Sequence, residues 1–294
     1  MLQCRKLRQL LQQLGILTLP GVYDCISAKL AEEVGFEAVF TSGFGISGAT
    51  LGLPDYGFLT ATEVLGSVGR MAEAIAIPLV ADLDTGYGNP LNVIRTVRNA
   101  VKLGIAGIIL EDQEWPKKCG HFEGKRVIAL EEQVEKIRAA IYARQESGLV
   151  IVARTDARAN LGLEEAIRRG RAYIEAGADI LFIEAPQSVA ELEAIAAAFP
   201  DVPLFANAIE GGKTPILSSD RLAELGFKIV VYPLAGLFAA THAMRACFQQ
   251  LREQKTTVEF KEMVSFNEFK NLIGVPEYQQ LEQQFKAKIE RDHE

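Results

Sequence analysis

Acidic, basic and amide side chains recur in this sequence where short apolar runs end. Ser42-Gly43, Asp82-Leu83-Asp84, Glu111-Asp112, Arg154-Thr155-Asp156, Glu184 and Asn207 each close such a run. Asp82 and Asp84 lie two residues apart, so on an extended segment their side chains project to the same side. With Glu111 they would make an all-oxygen site of few carboxylates, which suits Mg2+ or Mn2+ and leaves room for water and substrate. Arg154 is the obvious cation to clamp a substrate carboxylate, with a structural ion pair to Glu184 as its alternative. Ser42 and the backbone amides of Gly43 and Phe44 could hold another carboxylate end. Helix capping explains Asp156 or Asn207 equally well when each is taken alone, but it does not explain the whole set.

A second cluster occupies residues 115–125, from Trp115-Pro116 through Lys117-Lys118-Cys119-Gly120-His121 to Lys125. Its glycines, proline and basic residues describe a mobile loop with a positive face, able to close over an anionic substrate. Cys119, amid Lys117, Lys118 and His121, is expected to favour its thiolate. Cys4, Cys25 and Cys247 are expected to be inert core. Cys119 and His121 have no nearby companions that would make a zinc site.

These groups need a scaffold that brings distant strand ends together. The recurring unit is a helical stretch that ends in Gly, then a short apolar run closed by polar residues. Gly35, Gly104, Gly177 and Gly226 precede runs at 37–42, 106–111, 178–184 and 228–232, and four more runs fit at 17–22, 78–81, 149–153 and 203–206. Apolar residues at three- and four-residue spacing fill most of the intervals, at 131–144, 163–176, 189–199 and 220–225. Eight buried strands alternating with helices predict an α/β protein, a closed (β/α)8 TIM-type barrel whose reacting groups sit at the carboxyl ends of the strands. An open doubly wound sheet would carry a Gly-rich phosphate turn after its first strand, and the segment Leu19-Pro20-Gly21-Val22-Tyr23-Asp24 has none. After the eighth strand an amphipathic helix is expected over 234–253, then further helical material able to cap the barrel bottom or dock on a neighbouring subunit. No linker separates it, so one domain over 1–294 with a helical extension from about 234 is expected.

Composition excludes several function classes. Of 294 residues 49% are hydrophobic and 23% charged, which suits a globular enzyme and argues against disorder. The formal net charge of −7 leaves no basic footprint for nucleic acid or an anionic membrane. No run approaches the ~20 apolar residues needed to span a bilayer. Four scattered cysteines without a CxxC pair suggest reduced thiols and a cytoplasmic location, and no secretory leader is expected.

Read together, the motifs Thr41-Ser42-Gly43-Phe44, Leu51-Gly52-Leu53-Pro54-Asp55, Asp82-Leu83-Asp84-Thr85-Gly86, Glu111-Asp112-Gln113, Lys117-Lys118-Cys119-Gly120-His121 and Ala153-Arg154-Thr155-Asp156-Ala157 resemble the isocitrate lyase and phosphoenolpyruvate mutase superfamily over residues 19–269. Within it, the residues at 115–121 and the run Ile209-Glu210-Gly211-Gly212-Lys213-Thr214-Pro215 are most similar to the 2-alkylmalate and 2,3-dimethylmalate lyase branch, with methylisocitrate lyase next. The resemblance implies Mg2+ bound directly by Asp82, with Asp55, Asp84 and Glu111 holding its water shell. It implies an oxo-acid site of Ser42, Gly43 and Phe44 with Arg154, Glu184 and Asn207 around it, and it counts Asp55, Gly120 and Pro233 among the substrate-binding positions. Cys119 is implied as the general acid, with His121, Arg154 and Glu184 as catalytic companions. A homotetramer with C-terminal helices exchanged between paired subunits is also implied.

Three departures sort the branches. Phosphoenolpyruvate mutases carry an Asn-bearing loop where this chain has Cys119-Gly120-His121, which disfavours phosphorus chemistry. Oxaloacetate hydrolases carry Ser just after the eighth strand, where this chain has Pro233. Phe122 stands where methylisocitrate lyase has Arg, and one fewer cation suggests a substrate with one fewer carboxylate. The expected activity is therefore Mg2+-dependent carbon–carbon cleavage of a small 2-hydroxy di- or tricarboxylate. The alternatives are hydrolysis or decarboxylation of oxaloacetate, a phosphonomutase-like reaction, or a non-catalytic metabolite-binding barrel. The last is disfavoured because every metal carboxylate is present.

Overall fold

All eight runs become strands, and the strands close on themselves. A computed structural model describes residues 1–291. The chain runs α1 (Leu2–Gln12), β1 (Leu17–Val22), α2 (Cys25–Glu33), β2 (Val39–Thr41), α3 (Gly43–Leu51), α4 (Ala61–Ala74), β3 (Leu79–Asp82), α5 (Pro90–Lys102) and β4 (Gly107–Glu111). It continues α6 (Leu130–Arg144), β5 (Val150–Thr155), α7 (Arg158–Leu161), α8 (Leu163–Glu175), β6 (Ile180–Ile183), α9 (Val189–Ala198), β7 (Leu204–Asn207), α10 (Ser219–Leu225) and β8 (Phe227–Tyr232). Then follow α11 (Ala235–Gln254), α12 (Phe266–Leu272) and α13 (Val275–Arg291). Each strand pairs in parallel with the next, and β8 pairs with β1, so the barrel is closed in sequence order. Met1–Leu237 forms one compact unit that holds the barrel, and the chain from Phe238 onward forms a second. Among the described residues no helix is long and apolar enough to cross a membrane.

Local chemistry sets the strand–helix boundaries. Asp24, Thr60 and Asn89 make reciprocal capping boxes at the starts of α2, α4 and α5. Ser42, Ser188 and Ser218 cap α3, α9 and α10 through their side chains. At the other end, Gly226 terminates α10 at a φ of 98°, a left-handed conformation that costs a residue with a Cβ.

Side-chain parity then decides which strand residues face the axis. Leu17, Leu19, Phe40, Val80, Ile109, Val150, Val152, Ile180, Phe182, Phe205, Ile229 and Val231 form one buried cluster, the barrel interior. Their in-between neighbours, such as Leu79, Ala81, Ile108, Leu110, Ala153, Leu181 and Leu204, belong to the two clusters under the helices. Leu7 of α1 joins the interior cluster, with Leu10 and Leu11 packed against it. Arg8 ties α1 to the Gly148 and Leu149 carbonyls and to Asp179. The N-terminal helix therefore plugs the barrel, a role the sequence had suggested for the C-terminal helices. α1 does this because Leu7, Leu10 and Leu11 lie three and four apart, on one helical face.

Candidate active site

Continuing each inward-facing row by one more alternation reaches the carboxyl ends of the strands. Ser42 follows Phe40, Asp82 follows Val80, and Glu111 follows Ile109. In the same way Arg154 and then Asp156 follow Val152, Glu184 follows Phe182, Asn207 follows Phe205, and Pro233 follows Val231. Polar residues here form the top layer of the barrel, where this fold assembles its sites. Glu111 and Arg154 are paired across β4 and β5 in the strand register, so the carboxylate and guanidinium stand side by side.

Arg154 is buried among carboxylates. Its Nε donates to Asp156 Oδ2 at 2.9 Å and its Nη2 to Asp156 Oδ1 at 3.1 Å. Nη2 also lies 3.2 Å from Glu111 Oε2 and 3.3 Å from Glu184 Oε2, while the guanidinium stacks over Phe182. The Glu184 ion pair weighed beside the substrate clamp is thus present. Burial alone would raise Glu184 and Asp156, yet Arg154 with His121 holds Glu184 below the usual carboxylate range, and Arg154 with Lys125 does the same to Asp156. Asn207 Nδ2 reaches both Glu184 oxygens at 3.4 Å. Helix capping explains neither Asp156 nor Asn207, because their side chains are spent on this cluster.

The acidic pair converges by a different route from the one expected. β3 ends at Asp82, and Asp84 has a φ of 50°, so the segment is a turn rather than an extended strand. The turn lets the Asp84 amide donate to Asp82 Oδ1 at 3.1 Å, while the Gly43 amide contacts Asp82 Oδ2 at 3.4 Å. The Asp84 carboxylate instead meets Lys117 Nζ at 2.6 Å, and the same ammonium lies 2.7 Å from Asp55 Oδ1. A Cβ on Gly43 would fall 2.9 Å from that ammonium and 3.1 Å from Asp84, which explains a glycine at that position.

Burial pushes Asp84 up to about 6, with Asp82 and Asp55 adding to the rise and Lys117 opposing it. Burial likewise raises Glu111 well above its ordinary range, against the pull of Arg154, and Glu111 Oε1 is buried without a hydrogen-bond partner. Six buried carboxylates (Asp55, Asp82, Asp84, Glu111, Asp156, Glu184) meet only three buried cations (Lys117, Lys125, Arg154). Three carboxylates are left without a buried cation, and an oxygen-only donor set with an orphaned oxygen is chemistry that fits a hard dication. Among the described residues no three acidic, imidazole or thiol groups come close enough to hold an ion directly.

The loop at 115–125 corrects the sequence reading most. Its positive face is turned inward, since Lys117 and Lys125 are buried in ion pairs and Lys118 and Arg126 are the ones left to solvent or part-buried. The loop folds down on the barrel mouth. The Cys119 amide donates to the Asp55 carbonyl at 3.1 Å, and a Cβ on Gly120 would meet Arg154 Nη2 at 2.5 Å and Glu184 Cδ at 2.7 Å. His121 Nε2 lies 3.1 Å from Glu184 Oε1, while its Nδ1 accepts the Lys213 amide at 2.9 Å, which makes Nε2 the protonated nitrogen. The Ile209–Pro215 segment is thereby joined to the loop. Cys119 is not a favoured thiolate. Burial pushes its thiol up to about 11, with Asp55 and Glu184 raising it further and the His121 amide and Arg154 opposing. The nearby lysines that suggested otherwise are spent on Asp55, Asp84 and solvent. Of the other cysteines only Cys4 is fully buried, and Cys25 and Cys247 are half-buried, so the core assignment holds for one of the three.

Phe44 stands edge-on to Phe122 at 6.3 Å between ring centres, and Tyr56 packs on Phe122 at 5.5 Å, so an apolar wall borders the loop. Pro233 lies directly after β8, its backbone against Gly21 so closely that a side chain there is excluded. Asp112 turns away from the mouth. It accepts from Thr155 Oγ1 and Tyr173 OH at 2.7 Å, Arg169 Nη1 at 3.0 Å and the Asp156 amide at 2.8 Å, and so braces the site from behind. Lys117 and Lys125 escaped the site assignment made from sequence. Two buried lysines in a glycine-rich loop opposite an acidic layer are what charge balance at that layer would have called for. A separate cavity of about 880 Å3 lies behind Trp115, lined by Phe58, Tyr87 and Lys136, and includes none of the mouth carboxylates.

The family profile described as phosphoenolpyruvate phosphomutase matches residues 7–252. The 2,3-dimethylmalate lyase of Eubacterium barkeri is 43% identical over 281 residues, covering 95% of this chain and 97% of that one. Oxaloacetate acetylhydrolase in complex with the inhibitor 3,3-difluorooxalacetate superposes with a TM-score of 0.92 at 33% identity, covering 97% of each chain. Phosphonopyruvate hydrolase in complex with oxalate and Mg++ superposes with a TM-score of 0.86 at 32% identity, covering 96% of this chain and 99% of that one.

Proposed function

Because the chain belongs to the phosphoenolpyruvate mutase/isocitrate lyase superfamily, we propose that its barrel mouth is the active site of a Mg2+-dependent carbon–carbon lyase acting on a 2-hydroxy dicarboxylate of the 2-alkylmalate type. Cleavage passes the proton of the 2-hydroxyl to a carboxylate of the acidic layer at the mouth and breaks the C2–C3 bond. C2 becomes the carbonyl carbon of a 2-oxo acid. The bonding pair passes to the departing carboxylate fragment, which must gain a proton on carbon. Cys119 is the donor of that proton, and the observation that carries the reading is its place. It is a half-buried thiol on the loop folded over the mouth, its amide bonded to the Asp55 carbonyl and its neighbour Gly120 packed on Arg154 and Glu184. These surroundings push the thiol up to about 11. A donor must carry its proton at working pH, and this one does.

Arg154 and the amides of Gly43 and Phe44 hold the oxo-acid carboxylate. Glu184, Asn207 and His121 fix the guanidinium and the loop around it. Asp82, with Asp55, Asp84 and Glu111 through water, would hold Mg2+. When bound, the ion supplies Lewis-acid stabilisation of charge that develops on the reacting oxygens. The surplus of three buried carboxylates supports this assignment, as does the oxalate and Mg++ complex of the related hydrolase. The loop excludes water, and Phe44, Tyr56 and Phe122 offer an apolar wall to the alkyl group. Phe122 in place of a cation favours a dicarboxylate over a tricarboxylate such as methylisocitrate. A homotetramer is part of the reading, supported by the exposed Phe238, Met244, Phe248 and Leu251 of α11.

Oxaloacetate hydrolysis is the second reading, favoured by the likeness to oxaloacetate acetylhydrolase and opposed by Pro233. A screen of 2-alkylmalates, methylisocitrate and oxaloacetate with Mg2+, read by product mass, separates them. A 2-oxo acid plus a carboxylate from an alkylmalate supports the lyase, and oxalate plus acetate from oxaloacetate supports the hydrolase. Absence of turnover together with absence of Mg2+-dependent oxalate binding would refute both.

A further inference from the structure

The loop that delivers Cys119 ends on a lysine for which the proposed chemistry has no use. Glu123 and Arg126 nearby are largely exposed, with 88% and 76% of their side chains accessible, yet the Lys125 side chain turns inward and keeps 1%. Its ammonium donates to Asp156 Oδ1 at 2.7 Å and to the Gly120 carbonyl of its own loop. Its backbone carbonyl accepts from Asn160 Nδ2 at 3.3 Å, which pins the end of the loop to α7.

Asp156 is the hub of these contacts. Its Oδ1 is shared between Lys125 and Arg154 Nη2, its Oδ2 takes Arg154 Nε, and its amide is fixed by Asp112. Gly120, bonded to the same ammonium, lies against Arg154 and Glu184. Burying an ammonium is unfavourable unless a carboxylate meets it, and removing one partner of such a pair leaves the other uncompensated. Closing the loop therefore requires Lys125 to reach Asp156. Once there, it competes with Arg154 for Oδ1 and leaves the outer guanidinium N–H groups free to turn toward Glu111, Glu184 and a bound carboxylate.

We propose that Lys125 is the latch of the 115–125 loop and, through Asp156, a positioning residue for Arg154. The positioning half rests on the reading of the mouth as the active site, whereas the latch half does not.

The protein's single tryptophan, Trp115, opens this loop and reports on it without labelling. In ligand-free Lys125→Met, trypsin should cut after Lys117 and Lys118 at least tenfold faster than in the wild type. Acrylamide should quench Trp115 more strongly, and cuts should stay within residues 115–126. With Mg2+ present, half-saturation by oxalate and the KM should each rise at least tenfold while kcat falls less. Asp156→Asn added to Lys125→Met should add less than it does alone, because the two share one contact. Lys125→Gln, which keeps a donor for the Gly120 carbonyl but no charge for Asp156, should behave like the methionine variant and serves if that one cannot be purified.

Nicking and quenching within twofold of the wild type would overturn the latch. Cuts scattered through the barrel with a collapsed melting temperature would overturn it too, in favour of a merely structural lysine. An unchanged oxalate affinity beside an opened loop would overturn the positioning role. If the wild type itself bound no oxalate with Mg2+, the reading of the mouth would fall while the nicking result still decided the latch.

Discussion

Gly120→Ala tests whether the loop must press on the arginine cluster for chemistry to occur. The added methyl carbon would lie 2.5 Å from Arg154 Nη2 and 2.7 Å from Glu184 Cδ, about an ångström inside ordinary contact. Neither neighbour can give way cheaply, because Arg154 is tied to Asp156, Glu111 and Glu184, and Glu184 to Arg154, His121 and Asn207. The loop has to lift instead. Overpacking of this kind costs about 1–3 kcal/mol, which shifts the closed–open balance about 5- to 150-fold. Because the barrel beneath the loop is untouched, kcat/KM should fall by about that factor, with little change in melting temperature. Steady-state kinetics on the best alkylmalate substrate, with a thermal melt of the same preparation, measures both. A variant within threefold of wild-type kcat/KM would show that the closed loop is not the reacting state.

Cys119→Ser should lower turnover by roughly 10²- to 10⁴-fold while oxalate affinity, measured calorimetrically, changes only severalfold; undiminished turnover removes Cys119 as the acid. Alkylation of Cys119 by iodoacetamide, followed by mass spectrometry, should be slow at neutral pH and climb only as pH approaches about 11, since burial raises this thiol; a midpoint below the ordinary thiol range would contradict its protonated state. Asp112→Asn should cost about 3–5 kcal/mol of folding stability in denaturant titrations, because it strips the charge that faces buried Arg169 and weakens the brace behind Asp156; a loss under about 1 kcal/mol would mean that Glu165 alone satisfies Arg169.

The barrel was legible because buried parallel strands are unbroken apolar runs, and because Gly at helix ends marks where each run begins. The predicted strand at 149–153 stops two residues short of the real end at Thr155, since Arg154 and Thr155 are polar and read as loop. The convergence of Asp82, Glu111, Arg154, Glu184 and Asn207 was also legible, as each lies at a strand tip. Pairings across long separations were not. Lys117 and Lys125 are surface-like residues in a glycine-rich segment, and nothing local says that carboxylates 62 residues earlier and 31 residues later will take them inside. Cys119 misled for the same reason: its sequence neighbours are cationic, but its spatial neighbours are Asp55 and Glu184. The left-handed turn at Asp84 was hidden too, because a D-L-D run looks extended until the Gly86 and Tyr87 that follow it are seen to coil, both at positive φ.

The tip of β4 puts two adjacent carboxylates to opposite uses. Glu111 looks inward onto Arg154, and Asp112 looks outward onto Arg169, Tyr173 and Thr155. Lower in the same strand a slip of one residue would exchange one aliphatic side chain for another, Ile108 for Ile109. Here it would hand the outer helix a group shaped for the pore and give the pore one shaped for the helix. Chain-length variation among relatives should therefore avoid 107–112 altogether and accumulate beyond it, where the loop can absorb an extra residue without exchanging scaffold for chemistry.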